Sequence, residues 1–161
     1  MSLSRKSTII GGVALAVFAL DRYTKQLVTG NVELGSSINV VDGFFDLTYV
    51  RNLGAAFGFL SLLDSSYRVP FFATTTLAAV CLLLYFAHKT EPGNVLLLVS
   101  LALVTGGALG NLADRLMYGY VVDFIDWYIG SYHWPAFNIA DSAITAGIAI
   151  MGEEIIIRKK L

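Results

Sequence analysis

Four long apolar runs separate the polar parts of the chain. They cover approximately residues 8–28, 69–87, 95–112 and 135–157. An α-helix needs about 20 mostly apolar residues to cross the roughly 30 Å hydrocarbon core of a bilayer, and each run is close to that length. The fourth run is interrupted by Asp141, Glu153 and Glu154, acids that fit a span if they face other helices or lie at its ends. We therefore predict four transmembrane helices, with three spans and a surface helix as the alternative.

Composition agrees with a membrane protein of one domain, residues 1–161. The chain is 56% hydrophobic and 14% charged, with a mean hydropathy of +0.68, whereas soluble domains carry about a quarter of their residues as charged side chains. Eleven basic residues against twelve acidic ones leave no excess with which to bind nucleic acid. One cysteine, Cys81, and two histidines, His88 and His133, exclude a disulfide framework and leave little for a metal site. We expect no metal and no cofactor.

Arg5 and Lys6 precede the first apolar run, as they would in a cleavable signal peptide. The run continues into DRYTKQ without a small-x-small cleavage site, so we interpret it as a permanent span. Four spans put both termini on one side, together with six basic and three acidic residues; the other side has five basic and nine acidic residues. Because basic residues favour the cytoplasm, we predict that both termini are cytoplasmic.

The two outer loops, 29–68 and 113–134, carry structure of their own. Residues 37–50 are β-branched and aromatic around the turn dipeptide Asp42-Gly43, which predicts a small extracytoplasmic β-hairpin. Residues 52–63 are apolar and rich in Gly and Ala, which predicts a short helix on the membrane surface. The second loop is rich in Tyr and Trp, residues typical of an interfacial belt, although one or two could face a substrate.

Several polar side chains lie at the outer ends of the spans, where ionisable groups are costly and usually functional. Asp21 and Lys25 are four residues apart on one helix face, and the simplest interpretation is an ion pair with Lys25 extending outward to water. Asn52 lies in RNLGAAFG, whose glycines, Gly54 among them, permit close backbone approach. A plain turn residue is the alternative for Asn52.

The third apolar run ends in GGALGNLADR, where three glycines, Gly106, Gly107 and Gly110, allow close helix packing. Asn111 and Asp114 are three residues apart and share a helix face. Arg115 follows directly, so a structural Asp114–Arg115 ion pair is one interpretation.

Two further acids stand in apolar surroundings. Asp123, in VVDFID, has apolar neighbours that raise a carboxyl pKa, whereas Asp126 fits an exposed loop acid better. Asn138 and Asp141 repeat the Asn-x-x-Asp spacing on one face of the fourth helix, and the residues that follow Asp141, 142–152, are uncharged. Asp141 is therefore expected to point into the apolar region from the outer side.

Paired carboxyls in a site of low dielectric share a proton, so one can accept a proton from water while the other protonates a carbonyl oxygen. This is the chemistry of an aspartic protease, and spacing alone does not choose the pair among Asp114, Asp123 and Asp141. A Ser/His/Asp triad is disfavoured because His88 lies at the cytoplasmic end and no nucleophile elbow accompanies His133. A Ser–Lys dyad that uses Lys25 stays open.

Five blocks in order, DRYTK (21–25), RNLGAAFG (51–58), GGALGNLADR (106–115), VVDFID (121–126) and FNIADSA (137–143), together resemble bacterial lipoprotein signal peptidase, or signal peptidase II. The resemblance implies an all-α membrane protein of four transmembrane helices with a small extracytoplasmic β-cradle and a short surface helix. It also implies an intramembrane aspartyl endopeptidase of the bacterial cytoplasmic (inner) membrane, active toward the outer leaflet. The substrate would be a prolipoprotein, cleaved before its diacylglyceryl-modified cysteine.

By this resemblance Asp123 and Asp141 would be the catalytic dyad. Supporting or substrate-binding positions would be Asp21, Lys25, Asn52, Gly54, Asn111, Asp114, Arg115 and Asn138. The expected partners are the prolipoprotein and membrane lipids, with no nucleic acid, and we expect a monomer. A small proton-coupled transporter or assembly subunit, or a structural membrane protein, would be the alternative functions.

Overall fold

The computed structural model describes residues 3–54, 62, 64–91 and 93–158, which form four helices and four strands. The helices are α1 (Leu3–Asn31), α2 (Ser65–Lys89), α3 (Val95–Tyr118) and α4 (Ile139–Arg158). The strands are β1 (Ser37–Val41), β2 (Phe45–Asn52), β3 (Val121–Ile129) and β4 (Tyr132–His133). All four predicted spans therefore lie on helices.

Local signals fix where the helices begin and end. Asp64 caps α2 by accepting from Ser66 N (2.8 Å), and Asn94 caps α3 by accepting from Leu97 N (3.1 Å). Gly119 ends α3 in the left-handed conformation at φ +77°. The helices α1, α2 and α3 extend beyond the predicted spans, whereas α4 begins at Ile139, inside the predicted span of 135–157.

Helix α3 lies at the centre and packs against the other three helices. A Cβ on Gly106 would lie 2.6 Å from Ala14 O of α1, and one on Gly107 would lie 2.4 Å from Ala140 O of α4. On α4, a Cβ on Gly147 would lie 2.7 Å from Ser100 O. The predicted close packing through glycines is confirmed, because only glycine leaves room for these backbones.

Among the described residues, α2 and α3 are long and apolar enough to cross a membrane. In the most apolar 18-residue stretch of α2, only 6% of the residues are buried inside the protein, against 56% in the corresponding stretch of α3. Large apolar side chains such as Leu77, Leu82 and Phe86 are about half exposed. An apolar helix with so little protein around it needs a lipid environment. Membrane crossing by α1 and α4 stays a prediction.

The strands form one antiparallel sheet in the order β1-β2-β3-β4. The predicted hairpin is confirmed: β1 pairs with β2 around Asp42-Gly43, where Gly43 has φ +75°. The chain is mostly helical with a small antiparallel sheet, as predicted, but the sheet is larger than the predicted hairpin because the loop 113–134 contributes β3 and β4. Its sequence VVDFIDWYI has the β-branched and aromatic character of a strand, and it pairs along β2 from Phe45–Trp127 to Asn52–Val121.

The sheet packs against the C-terminal end of α1. Val28 of α1 and Val32, directly after the helix, pack with Tyr49 of β2 and with Val122 and Phe124 of β3 in one buried cluster. This cluster holds β3 against the helices and so fixes where Asp123 lies.

Two other expectations concern the surface. Most of the predicted surface helix, at residues 55–61 and 63, lies outside the described residues. Of the aromatic set, Trp127, Tyr132 and Trp134 are exposed on the sheet, as an interfacial belt would require. The belt itself stays a prediction.

We expect Gly107→Ala to destabilise the protein by about 1–3 kcal/mol, because its new Cβ would meet the Ala140 carbonyl oxygen at 2.4 Å. Thermal unfolding in detergent measures this change. Gly12→Ala is the matched control, since a Cβ there meets nothing within 4 Å. Equal midpoints for the two variants would contradict the tight α3–α4 contact.

Candidate active site

Asp123 lies on β3 with its side chain turned into the protein, and the residue is 2% exposed. Its two carboxyl oxygens accept hydrogen bonds from two amides. Asn52 Nδ2 donates to Oδ2 (2.9 Å) and Asn138 Nδ2 donates to Oδ1 (2.7 Å). The strand supplies the carboxyl, and the end of β2 and the start of α4 hold it in place.

Asp141 lies in the first turn of α4, where it is partly exposed. Asn138 and Asp141 cap the helix reciprocally: Asp141 N donates to Asn138 Oδ1 (2.9 Å), and Asn138 N donates to Asp141 Oδ2 (3.2 Å). Asn111 Nδ2 of α3 donates to Asp141 Oδ1 (2.8 Å). The Asn-x-x-Asp spacing is thus a capping arrangement, with Asn138 just before the helix instead of on its face.

One residue, Asn138, joins the two carboxyls through its side chain and its backbone N–H. It is fully buried; its Nδ2 contacts Asp123 and its backbone N–H and Oδ1 contact Asp141. Asn138 Nδ2 also lies 3.2 Å from Asn111 Oδ1 and 3.2 Å from Val122 O. The spacing of the sequence left open which two acids form a pair. The structure brings Asp123 and Asp141 into one hydrogen-bonded group.

Burial, and to a smaller extent the nearby charge of Asp141, raise the pKa of Asp123 to about 7. Hydrogen bonds from Asn52 and Asn138 oppose the shift without cancelling it. The predicted effect of the apolar neighbours is confirmed. A carboxyl that holds its proton near neutral pH beside a second carboxyl can act in general acid–base chemistry.

Lys25 lies behind this pair and is 2% exposed. Its Nζ contacts Asp21 Oδ2 (2.8 Å), Asp114 Oδ2 (2.9 Å) and Asn111 Oδ1 (3.0 Å). The predicted Asp21–Lys25 pair is confirmed, but the expectation that Lys25 extends outward is wrong. Two buried carboxylates draw the ammonium inward, because at low dielectric a buried carboxylate needs a nearby cation and Asp21 has no other ion-pair partner among the described residues.

The predicted Asp114–Arg115 pairing is also wrong. Asp114 is fully buried and pairs with Lys25 and Arg22 of α1, while its Oδ2 accepts from Val122 N of β3 (3.1 Å). Asp114 therefore fastens α3 to α1 and to the strand that carries Asp123. The sequence interpretation missed Arg22, although it stands inside the DRYTK block.

Asp21 connects α1 with the start of α4. It is fully buried, and its Oδ1 accepts from Ala140 N (3.0 Å), one residue before Asp141. The site depends on Gly110, since a Cβ there would lie 2.6 Å from Asp21 Oδ2. This glycine thus makes room for a carboxylate instead of for a helix backbone.

Arg115 lies one helical turn after Asn111 on α3 and holds the backbone of Gly54, just after β2. Its Nη2 donates to Gly54 O (3.0 Å) and its Nη1 to Asn111 O (3.3 Å). Gly54 N in turn donates to Asn52 Oδ1 (3.0 Å), so Asn52 both stabilises the turn and donates a hydrogen bond to Asp123. The guanidinium lies 4.5 Å from the ring centre of Phe72, a contact that no motif indicated.

The remaining candidate groups lie elsewhere. His133 Nδ1 is 2.9 Å from Asp126 Oδ2 at the tip of the sheet. Asp126 is therefore a partly exposed strand residue with a partner, and the expectation of an exposed loop acid is wrong. In the described part of the chain, no group of three or more His, Cys, Asp or Glu side chains is arranged to hold a metal ion.

A family model described as signal peptidase (SPase) II matches residues 13–157. The chain belongs to the signal peptidase II family. The resemblance carried by the five sequence blocks is thereby confirmed, and with it the assignment to the aspartic-type proteases.

Curated relatives of this signal peptidase II chain agree. A lipoprotein signal peptidase of Syntrophus aciditrophicus is 46% identical over 144 residues, which cover 89% of each chain. One from Syntrophotalea carbinolica is 49% identical over 86% of this chain and 85% of its own. One from Geobacter sulfurreducens is 45% identical over 92% of this chain and 91% of its own.

Two solved structures of bacterial membrane enzymes share the fold. One superposes with a TM-score of 0.82 at 35% identity and covers 91% of this chain and 87% of its own. The other has a TM-score of 0.81 at 36% identity and covers 91% of both chains. These neighbours support a membrane-embedded signal peptidase II.

We expect the stability of this signal peptidase II to fall, relative to that of Asp123→Asn, as the pH rises. The folded carboxyl has a pKa near 7 and the unfolded one a pKa of 3.8. Between these values the folded state binds more protons, so raising the pH costs about 1.4 kcal/mol per unit, and the loss ends above pH 7.

Thermal midpoints of the wild type and Asp123→Asn at pH 4.5 to 8.5 measure the difference. Asp42→Asn, which changes an exposed turn acid, is the control variant. A constant difference between wild type and Asp123→Asn across this range would show that the buried carboxyl does not titrate there.

Proposed function

We propose that the chain is an intramembrane aspartyl endopeptidase that removes signal peptides from prolipoproteins. It would cleave before the cysteine that carries diacylglyceryl, with Asp123 and Asp141 as the catalytic dyad. The observation that carries this proposal is the contact of one buried amide residue, Asn138, with both carboxyls. The names of the relatives support the substrate class.

The mechanism uses one proton shared between the two acids. The ionised carboxylate takes a proton from a water molecule, whose oxygen attacks the scissile carbonyl carbon. The protonated carboxyl gives its proton to the carbonyl oxygen. When the tetrahedral intermediate collapses, the C–N bond breaks and the amine leaves with a proton from the dyad. Asn52 and Arg115 orient the substrate chain beside the dyad, a role supported by their contacts with Gly54.

The proposal places the reaction at the bilayer surface. Four spans, α1 to α4, would put both termini in the cytoplasm and the sheet outside, next to the outer leaflet of the bacterial inner membrane. The signal helix of the substrate would enter from the side while its lipid stays in the bilayer. The monomer implied by the family resemblance is part of this proposal.

A proton-coupled transporter would need acids spread through the membrane depth. Here Asp21, Asp114, Asp123 and Asp141 form one group at the sheet end of the helices. At the other end of the described chain, Glu153 and Glu154 lie near the close of α4. This one-sided placement favours hydrolysis.

We expect Asp123→Asn and Asp141→Asn each to lower cleavage of a diacylated precursor peptide by at least about 10²-fold, since each removes a proton-transfer group. Asp126→Asn is the matched control on the same strand and should keep near wild-type turnover. Purified protein in detergent gives the rates. Near wild-type turnover of either dyad variant would overturn the assignment.

The topology is tested by labelling in intact cells. In a Cys81→Ser background, a membrane-impermeant maleimide should label Asp42→Cys in the hairpin turn but not Gly93→Cys between α2 and α3. Permeabilised cells should label both, which controls for reactivity. Labelling of Gly93→Cys in intact cells would contradict cytoplasmic termini. Two antiparallel spans, α1 and α2, return the chain to the side of the N-terminus before it reaches Gly93.

A further inference from the structure

An open apolar groove runs along the surface between α1 and α3. Its volume is about 520 Å³. The lining residues are Gly11, Ala14, Leu15 and Phe18 of α1 with Leu109, Leu112, Ala113 and Leu116 of α3. Nothing in this lining carries a charge, so the occupant must present an apolar segment.

The groove lies on a different face of α3 from the dyad. Leu109 lines the groove, and Asn111, two residues later, contacts Asp141. Two residues correspond to about 200° around an α-helix. The groove is therefore separate from the catalytic group, and its ligand need not be the substrate.

A polar pocket of about 140 Å³ follows the groove at the sheet end of the helices. Phe18, at the end of the groove, and Arg22, in the pocket, are one turn apart on the same stripe of α1. Arg22 Nη2 donates to Tyr118 Oη (3.3 Å), and the lining also includes Gln26 and Thr29. Along α1 the surface thus changes, within one turn, from apolar side chains at Phe18 to hydrogen-bonding side chains at Arg22.

The side chains around the polar pocket carry a net charge of +1. Arg22 and Lys25 line it with Asp114, and Lys25 pairs also with Asp21. At its rim the Arg51 guanidinium lies 4.6 Å from the ring centre of Tyr120. Three cations therefore face two carboxylates, and the described residues offer Arg51 no carboxylate within ion-pair distance. A phosphodiester carries the one negative charge that would balance this surplus.

The length of the groove fits one leaflet. Gly11 and Arg22 are eleven residues apart, which is about 16 Å along a helix. Half of the hydrocarbon core is about 15 Å. An acyl chain laid along the groove from the depth of Gly11 would end where Arg22 and the tyrosine hydroxyls begin.

We propose that this surface binds one phospholipid with an anionic headgroup from the leaflet on the side of the sheet. One acyl chain occupies the groove, and the phosphate binds at the polar pocket near Arg22 and Arg51. The tyrosine hydroxyls, Gln26 and Thr29 offer further hydrogen bonds to the headgroup. This proposal stands apart from the peptidase proposal, because it uses another face of α3.

Native mass spectrometry of the full chain, purified and depleted of lipid, tests it with dioleoylphosphatidylglycerol, dioleoylglycerol and glycerol phosphate as probes. The wild type should retain one dioleoylphosphatidylglycerol. Gly11→Leu, whose side chain would fill the groove without a clash, should weaken that binding at least about tenfold. Gly12→Leu is the matched control: it adds the same side chain next to the groove lining, and a Cβ there also meets nothing within 4 Å.

Two further variants keep the test decisive. Leu15→Trp fills the groove from an exposed position and should repeat the effect of Gly11→Leu if that variant fails to fold. Arg51→Gln should weaken dioleoylphosphatidylglycerol binding and leave dioleoylglycerol binding unchanged.

Four results would overturn the proposal. The first is equal retention of dioleoylphosphatidylglycerol by Gly11→Leu and Gly12→Leu. The second and third are binding of dioleoylglycerol, or of glycerol phosphate alone, to the wild type as tightly as dioleoylphosphatidylglycerol. The fourth is a mass that corresponds to a second copy of the chain in place of the lipid. Because retention of lipid is the readout, a failure of the peptidase proposal would not change the outcome.

Discussion

The buried ammonium of Lys25 is the interaction on which the rest of the structure depends. It lies between Asp21 and Asp114 and also donates to Asn111, which positions Asp141. Removing this one charge would leave the buried Asp21 carboxylate without its ion-pair partner and Asp114 with Arg22 alone. Breaking a buried pair in this way costs several kcal/mol in comparable proteins. Lys25 itself touches neither of the proposed catalytic carboxyls, and its effect reaches Asp141 through Asn111.

The two acids that flank Lys25 carry its effect outward to the other elements. Asp114 accepts from the backbone of Val122, one residue before Asp123, and Asp21 accepts from the backbone of Ala140, one residue before Asp141. Each proposed catalytic acid is therefore held through the backbone of its predecessor. This arrangement sets the positions of β3 and α4 relative to each other without using the catalytic side chains for support.

Such short connections require helices that approach closely, and the glycines of α3 provide this. Gly106 and Gly107 admit the backbones of α1 and α4, and Gly110 admits the Asp21 carboxylate. In a membrane the hydrophobic effect does not drive helices together, so close packing and buried polar contacts take a larger share of the stabilisation. The glycine face and the ion-pair group are two parts of one packing solution.

Much of this protein could be predicted from the sequence alone. Hydropathy located the four helices, and the Asp42-Gly43 dipeptide with its β-branched neighbours located the hairpin. The five motif blocks named the family and the acids worth testing, because polar groups at the ends of apolar runs are rare enough to be informative. These are local properties that a short window of sequence contains.

Tertiary structure decided which of those groups meet. Residues 121–129 form a strand only because β2 offers an edge to pair with, and Asp114 binds Arg22 across 92 positions instead of its neighbour Arg115. Lys25 points inward because two carboxylates from different parts of the chain converge there. Asn138 joins Asp123 to Asp141 because the start of β3 lies next to the start of α4. Pairings of this kind depend on the relative placement of distant elements, which the spacing of residues along the chain does not contain.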